Sequence, residues 1–581
     1  MRRAIVLCVL ALALTAPAAA QQVQVESFRL DNGMEFLLLP RAEEPNQVMA
    51  GWVARVGSVN ERPGITGISH FFEHMMFKGT TTIGTRDPQA DAAFAQQQHE
   101  VRGKLRELHL TTQYARWKAG EIADPWDPAN DTAEMQDLRA QLKKLMDDHR
   151  AVIVKDEFDQ VYTAEGGSRM NAFTSHDVTF YFINVPANKL ELWAWMESDR
   201  LSDSVFREFY SERDVVHEER RLRTESTPTG IFQEQFDALF WQSSPYSWPV
   251  IGWTSDLNSY TIEQARAYFD IYYRPNNLVG VMVGDFDPAT VKPQLVRYFG
   301  RLTAGSPPPP VVTLEAPQIA EKRMYAECDC QPQVEVRYHT VPFGHADEAA
   351  LEVMSSLLNG DTGRLYKALV EEQELAVGAN VQQDSRKYAG AFSFSAECKA
   401  DATPQQLEDA WYEQLARLQS ELVPAEELQK VKNQQLANSY RRLQSNNFLM
   451  IQLGYFEALG GWEYINTAPE KLQAVQAEDV MRVAKKYFAK ENRSVVSYTR
   501  KAGSTTSEDP ALASLDPEIR NMVKQQVKQL AQVEDPEQIK TMLARMTEQQ
   551  GQVPAAFKPA VEYVISKAQQ RLEELESAKN K

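Results

Sequence analysis

Apolar and polar positions change their spacing several times along the chain, and each change predicts an element. Near the start, "VESFRLDNGMEFLLLP" places two short apolar runs on either side of Asp31-Asn32-Gly33. Asn-Gly accepts positive φ, so the two runs are expected to pair as a hairpin. Farther on, "NAFTSHDVTFYFINV" is rich in aromatic and β-branched residues and predicts a strand from Phe173 to Val185. Between Thr80 and Asn171 the chain is polar with helical spacing. In its middle, "ADPWDPANDTAEM" offers Pro125 and Pro128 to break one helix and Asn130 or Asp131 to cap the next. An inserted helical hairpin over about 84–155 is therefore expected. In "SVFREFYSERDVVHEERRLRTE", Val205, Phe209, Glu212, Val216, Glu219 and Leu222 share one stripe of an amphipathic helix. Two carboxylates thus face inward, where an unpaired charge is costly. Glu218, turned about 100° away, is predicted at the surface.

A longer pattern repeats. "TIEQARAYFDIYYRPNNLVGVMVGD" from Thr261 passes from helix-like to β-rich spacing, and "QAEDVMRVAKKYFAKENRSVVSYTR" from Gln476 does the same. Matching Tyr273 with Phe488 also matches Asn277 with Asn492 and Val281 with Val496, an offset of 215 residues. Between the copies, Pro307 to Pro310 stiffen a linker over 306–318. Two related domains that mix helix and strand follow, at about 21–305 and 311–503, with a tail of helical composition over 504–581.

Length agrees, since 581 residues exceed one ordinary core. The opening "MRRAIVLCVLALALTAPAAAQQ" has Arg2 and Arg3, an apolar run too short for a membrane span, and Ala18-Ala19-Ala20. This is the layout of a secretory signal peptide, residues 1–20, cut after Ala20. Leu7 stands where a lipoprotein signal would place a small residue before Cys8, which argues against a lipid anchor. Removing Arg2 and Arg3 takes the net charge from -18 to -20, a balance that argues against nucleic acid or an anionic membrane as partner. Nothing after the signal is apolar enough to span a bilayer, so an exported chain without a membrane anchor is expected. Cys328, Cys330 and Cys398 remain, allowing at most one internal bridge; buried thiols are the alternative.

The candidate chemistry lies in "HFFEH", residues 70 to 74. On a helix His70 and His74 stand one turn apart on the same side, with Glu73 beside them. Zinc takes imidazole and carboxylate ligands and, in a hydrolase, keeps one position for water. A third ligand is needed, and Glu219, with Glu212 in support, is the candidate from the inward stripe. Histidines that merely cap or pack a helix, and salt bridges from these acids to Arg213 or Arg223, are the bland alternatives.

"HFFEHMMFKGT", "NAFTSHDVTFYF" and "ERDVVHEE", in this order, resemble the pitrilysin-type (inverzincin) zinc metallopeptidases, the family of insulin-degrading enzyme and the mitochondrial processing peptidase. The resemblance spans residues 25 to 503. It implies an α+β fold of two homologous domains, each with a mainly antiparallel sheet packed by helices, two such pairs enclosing a peptide-holding chamber. His70, His74 and Glu219 would hold one Zn2+ per chain, Glu73 would act as general base, and Glu212 would orient the site. Asn171 and Ala172 would lie on an edge strand to which a peptide or unfolded-protein substrate adds its backbone. The activity implied is that of a zinc metalloendopeptidase, secreted across the inner membrane to the periplasm. A non-catalytic structural or chaperone-like subunit of the same fold is the alternative, and an acidic helical binding protein with structural histidines is a third possibility.

Two departures from the family pattern stand out. His74 and Glu219 are 145 positions apart, about twice the usual distance, and the inserted hairpin accounts for the excess. In "GRLYKALVEEQELAVGANV", Val370 and Val377 occupy places where the family carries a substrate-binding arginine and tyrosine; valine makes neither hydrogen bond. A dimer is expected, and a heterodimer with a related subunit that supplies the Arg/Tyr pair would restore what this chain lacks.

Overall fold

A computed structural model of the chain describes residues 22–501, 517–531, 533, 536–549 and 557–579; the expected signal peptide, 1–20, lies outside them. The structure divides after Arg500 into a large unit and a C-terminal one. The large unit contains two sheets. The first comprises β1 (Glu26–Arg29), β2 (Glu35–Pro40), β3 (Gln47–Ala54), β4 (Ser168–Thr174), β5 (Thr179–Pro186) and β6 (Leu278–Gly284), in the order β1-β2-β6-β3-β5-β4. The second comprises β7 (Lys322–Cys328), β8 (Gln333–Thr340), β9 (Ala376–Ser385), β10 (Gly390–Cys398) and β11 (Arg493–Arg500), in the order β7-β11-β8-β10-β9. Only β2–β6 and β7–β11 pair in parallel. The fold is α+β with mainly antiparallel sheets, as expected.

The β1–β2 turn forms at Asn32-Gly33, with Gly33 at φ 88° and its N–H donating to Leu30 O at 2.9 Å. The single strand expected from Phe173 to Val185 is instead the hairpin of β4 and β5. Ser175 Oγ accepts from the N–H groups of Asp177 and Val178, at 3.3 and 3.2 Å, so a Ser-His-Asp turn interrupts the aromatic run. The inserted hairpin has arms Pro88–Leu108 and Ala133–His149, joined across Leu105, Met135, Leu138 and Leu142. Its second arm is capped by Thr132, whose Oγ accepts from Met135 N at 3.3 Å, rather than by Asn130 or Asp131. Asn130 ends a short 3-10 turn opened by Pro128, and Asp131 pairs with Arg139, which leaves Thr132 as the last extended residue before the helix.

The sequence repeat recurs element by element. Helix Ile262–Tyr272 leads into β6 as helix Ala477–Tyr487 leads into β11. At the junctions, Asn277 Nδ2 donates to Tyr272 O at 2.9 Å and Asn492 Nδ2 donates to Tyr487 O at 2.7 Å. One asparagine does the same work twice, closing the last helical carbonyl before the strand.

The halves also exchange helices. Helix Gly230–Phe240, from the first half, sets Phe236 against Ala326, Cys328, Val496 and Tyr498 of the second sheet. Helix Asn446–Leu459, from the second half, sets Leu449, Met450 and Leu453 against Leu37, Met49, Val53 and Val281 of the first. Gly454 lets that helix lie close, because a Cβ there would come within 2.7 Å of the Phe180 ring. Cys328 and Cys330 form a disulfide and Cys398 is a buried thiol. In the C-terminal unit, helices Pro517–Ala531, Pro536–Gln549 and Lys558–Lys579 pack around Val523, Ala560 and Val564 at one level and Leu530, Ile539 and Ala568 at another. No helix among the described residues is long and apolar enough to cross a membrane.

Leu453 is fully buried in the exchanged contact. Leu453→Ala is expected to lower unfolding stability by about 2–5 kcal/mol, measured by urea denaturation. A loss well under 1 kcal/mol would mean that the helix contributes little to holding the halves together.

Candidate metal centre

The motif residues lie on helix Ile68–Met75, called here the histidine helix. Ile68, Phe71, Phe72 and Met75, spaced i, i+3, i+4 and i+7, are buried in the core and fix which way the helix faces. His70, Glu73 and His74 then share the adjoining face. Gly67 begins the helix at φ 88°, where a Cβ would lie 2.4 Å from Ile251 O. Its N–H and that of Ser69 donate to the two oxygens of buried Glu61, both at 2.7 Å. Asp256 Oδ2 accepts from Gly64 N at 2.9 Å and Thr66 N at 3.0 Å. Two acids therefore satisfy donors around the helix start, where the peptide dipoles favour negative charge.

The second contributor is helix Phe209–Arg220, the acid helix. Phe209, Glu212 and Val216 are buried and Glu219 is half-buried. The expected stripe is shorter than its sequence suggested. Val205 precedes the helix, cut off by positive φ at Phe206 and Glu208, and Leu222 lies exposed in a wider turn, Arg221–Glu225. Glu218 is at the surface, as expected, bonded to Arg221.

Side by side, the helices bring the candidate ligands together. Donor atoms of His70, His74 and Glu219 lie within 4.8 Å of one another. His70 Nε2 is 3.7 Å from Glu219 Oε1, and His74 Nε2 is 3.3 Å from Glu219 Oε2. His74 Nδ1 bonds Glu212 Oε1 at 2.8 Å, and Glu212 Oε2 meets Lys78 Nζ at 2.5 Å. Glu73 Oε2 accepts from Thr174 Oγ at 2.7 Å. Of the two arginines that could have explained the acids, Arg213 donates to Asn258 O instead. Arg223 does pair with Glu219, at 2.5 Å, but from a side chain 74% exposed. Lys78 pairs with the far oxygen of Glu212. Neither cation removes the acids from the imidazoles.

The charges around the site are sharply uneven. Burial, assisted by His74, pushes His70 down to about 4. At His74 burial also acts downward, but bonds to Glu212 and Glu219 outweigh it and push the imidazole up to about 9. Burial raises the Glu73 carboxyl despite the Thr174 bond. The residues fit a zinc ion. Both Nε2 atoms and a carboxylate converge, and Glu212 occupies His74 Nδ1 so that the other nitrogen is left for the metal.

The family model described as "Insulinase (Peptidase family M16)" matches residues 37–90, and "Peptidase M16 inactive domain" matches residues 259–435. Zinc protease PqqE of Helicobacter pylori is 25% identical over 473 residues, 80% of this chain and 90% of that protein. The chain thus carries matches to both domain types of the pitrilysin-type peptidase family M16. Among solved M16-like structures, that of a protease from Helicobacter pylori superposes with a TM-score of 0.66 at 23% identity, covering 82% of this chain and all of that one. The first half of the periplasmic protease PqqL from Escherichia coli superposes with a TM-score of 0.59 at 17% identity, covering 83% and 93%.

Within this M16 fold, Asn171 and Ala172 lie on β4, the edge of the first sheet, three and two residues before the threonine that holds Glu73. Asn171 is exposed and its own Oδ1 accepts from Ala172 N at 2.8 Å, while Ala172 is buried. Val370 packs on the second-half core and Val377 is 60% exposed on β9, the edge of the second sheet. Sequence reasoning missed Thr174, Lys78, Glu61 and Asp256. The first two lie inside motifs quoted for other residues, whereas no local spacing links Glu61 or Asp256 to the histidine helix.

Glu61→Gln keeps the shape but turns an amide donor toward a backbone donor. It is expected to lower the stability of the metal-free protein by about 1–3 kcal/mol, read by urea unfolding in the presence of a chelator. Unchanged stability would show that the helix start finds another acceptor.

Proposed function

We propose that the chain is a zinc-dependent metalloendopeptidase that hydrolyses peptides or unfolded polypeptides. The observation that carries this is the convergence of His70, His74 and Glu219, with Glu212 bonded to His74 and Glu73 anchored by Thr174 next to them. His70, His74 and Glu219 would hold the metal. A zinc ion supplies a Lewis acid that polarises a peptide carbonyl and acidifies water. Glu73, anchored by Thr174 and made more basic by burial, accepts the proton from attacking water and returns it to the leaving amine. Glu212 keeps His74 oriented, and Lys78 balances its charge. The free edge of β4, with Asn171 and Ala172, pairs with substrate backbone, so binding depends little on side chains. The "inactive domain" match covers residues 259–435 and leaves the cluster at 70–219 untouched, which supports catalysis over a purely structural subunit. The N-terminal signal pattern and the likeness to a periplasmic protease support export to the periplasm.

The reading includes a partner. Val370 and Val377 offer no hydrogen bond where substrate is to be held, so a related subunit completes the chamber and supplies the Arg/Tyr pair.

Purified protein is expected to hold about one zinc per chain. Glu219→Ala should lose it, Glu218→Ala should retain it, and Glu73→Gln should keep zinc while losing hydrolysis of an unfolded peptide. Metal analysis with a peptide assay on the same samples checks all three, and undiminished turnover by Glu73→Gln would remove that residue from the mechanism. The partner has its own test. Zinc-loaded chain expressed alone should hydrolyse the peptide feebly and gain activity with a co-purifying subunit, whereas full activity alone would overturn the heterodimer.

A further inference from the structure

The inserted hairpin raises a question that zinc ligation alone does not answer. The second half builds the equivalent helix pair, Glu348–Leu358 beside Ala425–Arg442, with only a short connection from Leu358 to β9. The fold therefore brings such helices together without an insertion. In the first half the hairpin leaves the chain between the two metal-site helices, and both its arms end in one buried cluster.

At the centre of that cluster is Arg207, two residues before the acid helix, with its side chain 1% exposed. Nη1 donates to Lys78 O at 2.6 Å and Ile83 O at 3.0 Å, and Nη2 donates to Thr80 O at 2.8 Å. These carbonyls belong to the segment that follows the histidine helix. Gly84, at φ 98°, leaves room for the guanidinium, since a Cβ there would lie 2.3 Å from Nη1. Asp91, on the first hairpin arm, accepts from Nε at 3.0 Å and from Nη2 at 2.8 Å. Asp91 Oδ1 also bonds His149 Nε2, on the second arm, at 2.6 Å. A planar guanidinium can satisfy three carbonyls and a carboxylate at once; a lysine cannot.

The clamp is continuous with the metal site. Lys78, whose carbonyl Arg207 grips, places its ammonium on Glu212, and Glu212 bonds His74. At the 215-residue offset, the second half has exposed Leu422 in place of Arg207 and Gln434 in place of Glu219. The half without the ligand set also lacks the clamp.

We propose that Arg207 and Asp91 are positioning residues for the metal centre. The root of the inserted hairpin locks the segment after the histidine helix to the start of the acid helix, and so holds Lys78 and Glu212 against His74. The proposal rests on the metal-site reading above. The hairpin tip, beyond about Leu110, has no part in it.

The test is zinc affinity of the full chain by chelator competition, well below the melting temperature, together with the visible absorption of the cobalt-substituted protein. Asp91→Asn and Arg207→Lys are expected to weaken zinc binding by about 10-fold, the low end for groups behind a ligand, and to alter the cobalt spectrum. Leu453→Ala, which destabilises the opposite face of the first sheet, should change neither at the same temperature. Replacing the tip, 111–129, with a short Gly-Ser loop should leave both unchanged. Affinity and spectrum preserved in Asp91→Asn and Arg207→Lys despite lower melting temperatures would reduce the clamp to a structural role and overturn the proposal. An equal loss in Leu453→Ala would do the same, by making the effect one of general stability. Wild-type protein that binds no zinc would instead refute the metal-site reading, and this inference with it.

Discussion

The bond between His74 Nδ1 and Glu212 Oε1 is the contact on which the candidate centre depends. It joins two helices far apart in sequence, and it fixes which imidazole nitrogen faces Glu219. Glu212 is buried, where a lone carboxylate would be costly, so His74 on one oxygen and Lys78 on the other are conditions of its being there. Much of the surrounding structure serves to keep this bond in place. Core aromatics fix the rotation of the histidine helix, Glu61 and Asp256 hold the donors at its start, and Arg207 grips the segment beyond its end.

Within a duplicated plan, the candidate metal centre lies in the first half. Both halves use the same strand order around the repeated helix and strand, and both close the repeated junction with an asparagine. Each also lends a helix to the other's sheet, so neither can open its outer face without exposing apolar surface. The second half thus supports the first mechanically even though Gln434 stands at the offset of Glu219.

Much of this was legible in the sequence because it depends on local spacing. His-x-x-Glu-His sets two imidazoles and an acid on one helical face whatever surrounds it, Asn-Gly forces the first turn, and the 215-residue repeat announces two related halves. Periodicity also separated Glu219 from Glu218 correctly. It misled where a short polar signal lay inside a strong apolar one. The Ser-His-Asp turn between β4 and β5 was hidden in an aromatic run, and the inward stripe was carried past both ends of the acid helix because spacing does not report backbone φ at Phe206 and Glu208.

What the sequence by itself determined was which residues could act and which faces they would share. Only the tertiary structure decided that Glu212 meets His74, that Thr174 holds Glu73, and that Asp91 and Arg207 close the root of the insertion. The physical reason is range. Helical and strand periods fix direction over a few residues, but a hydrogen bond between side chains more than a hundred positions apart exists only after packing has set two elements at one distance and angle. Nothing in either segment alone records that distance.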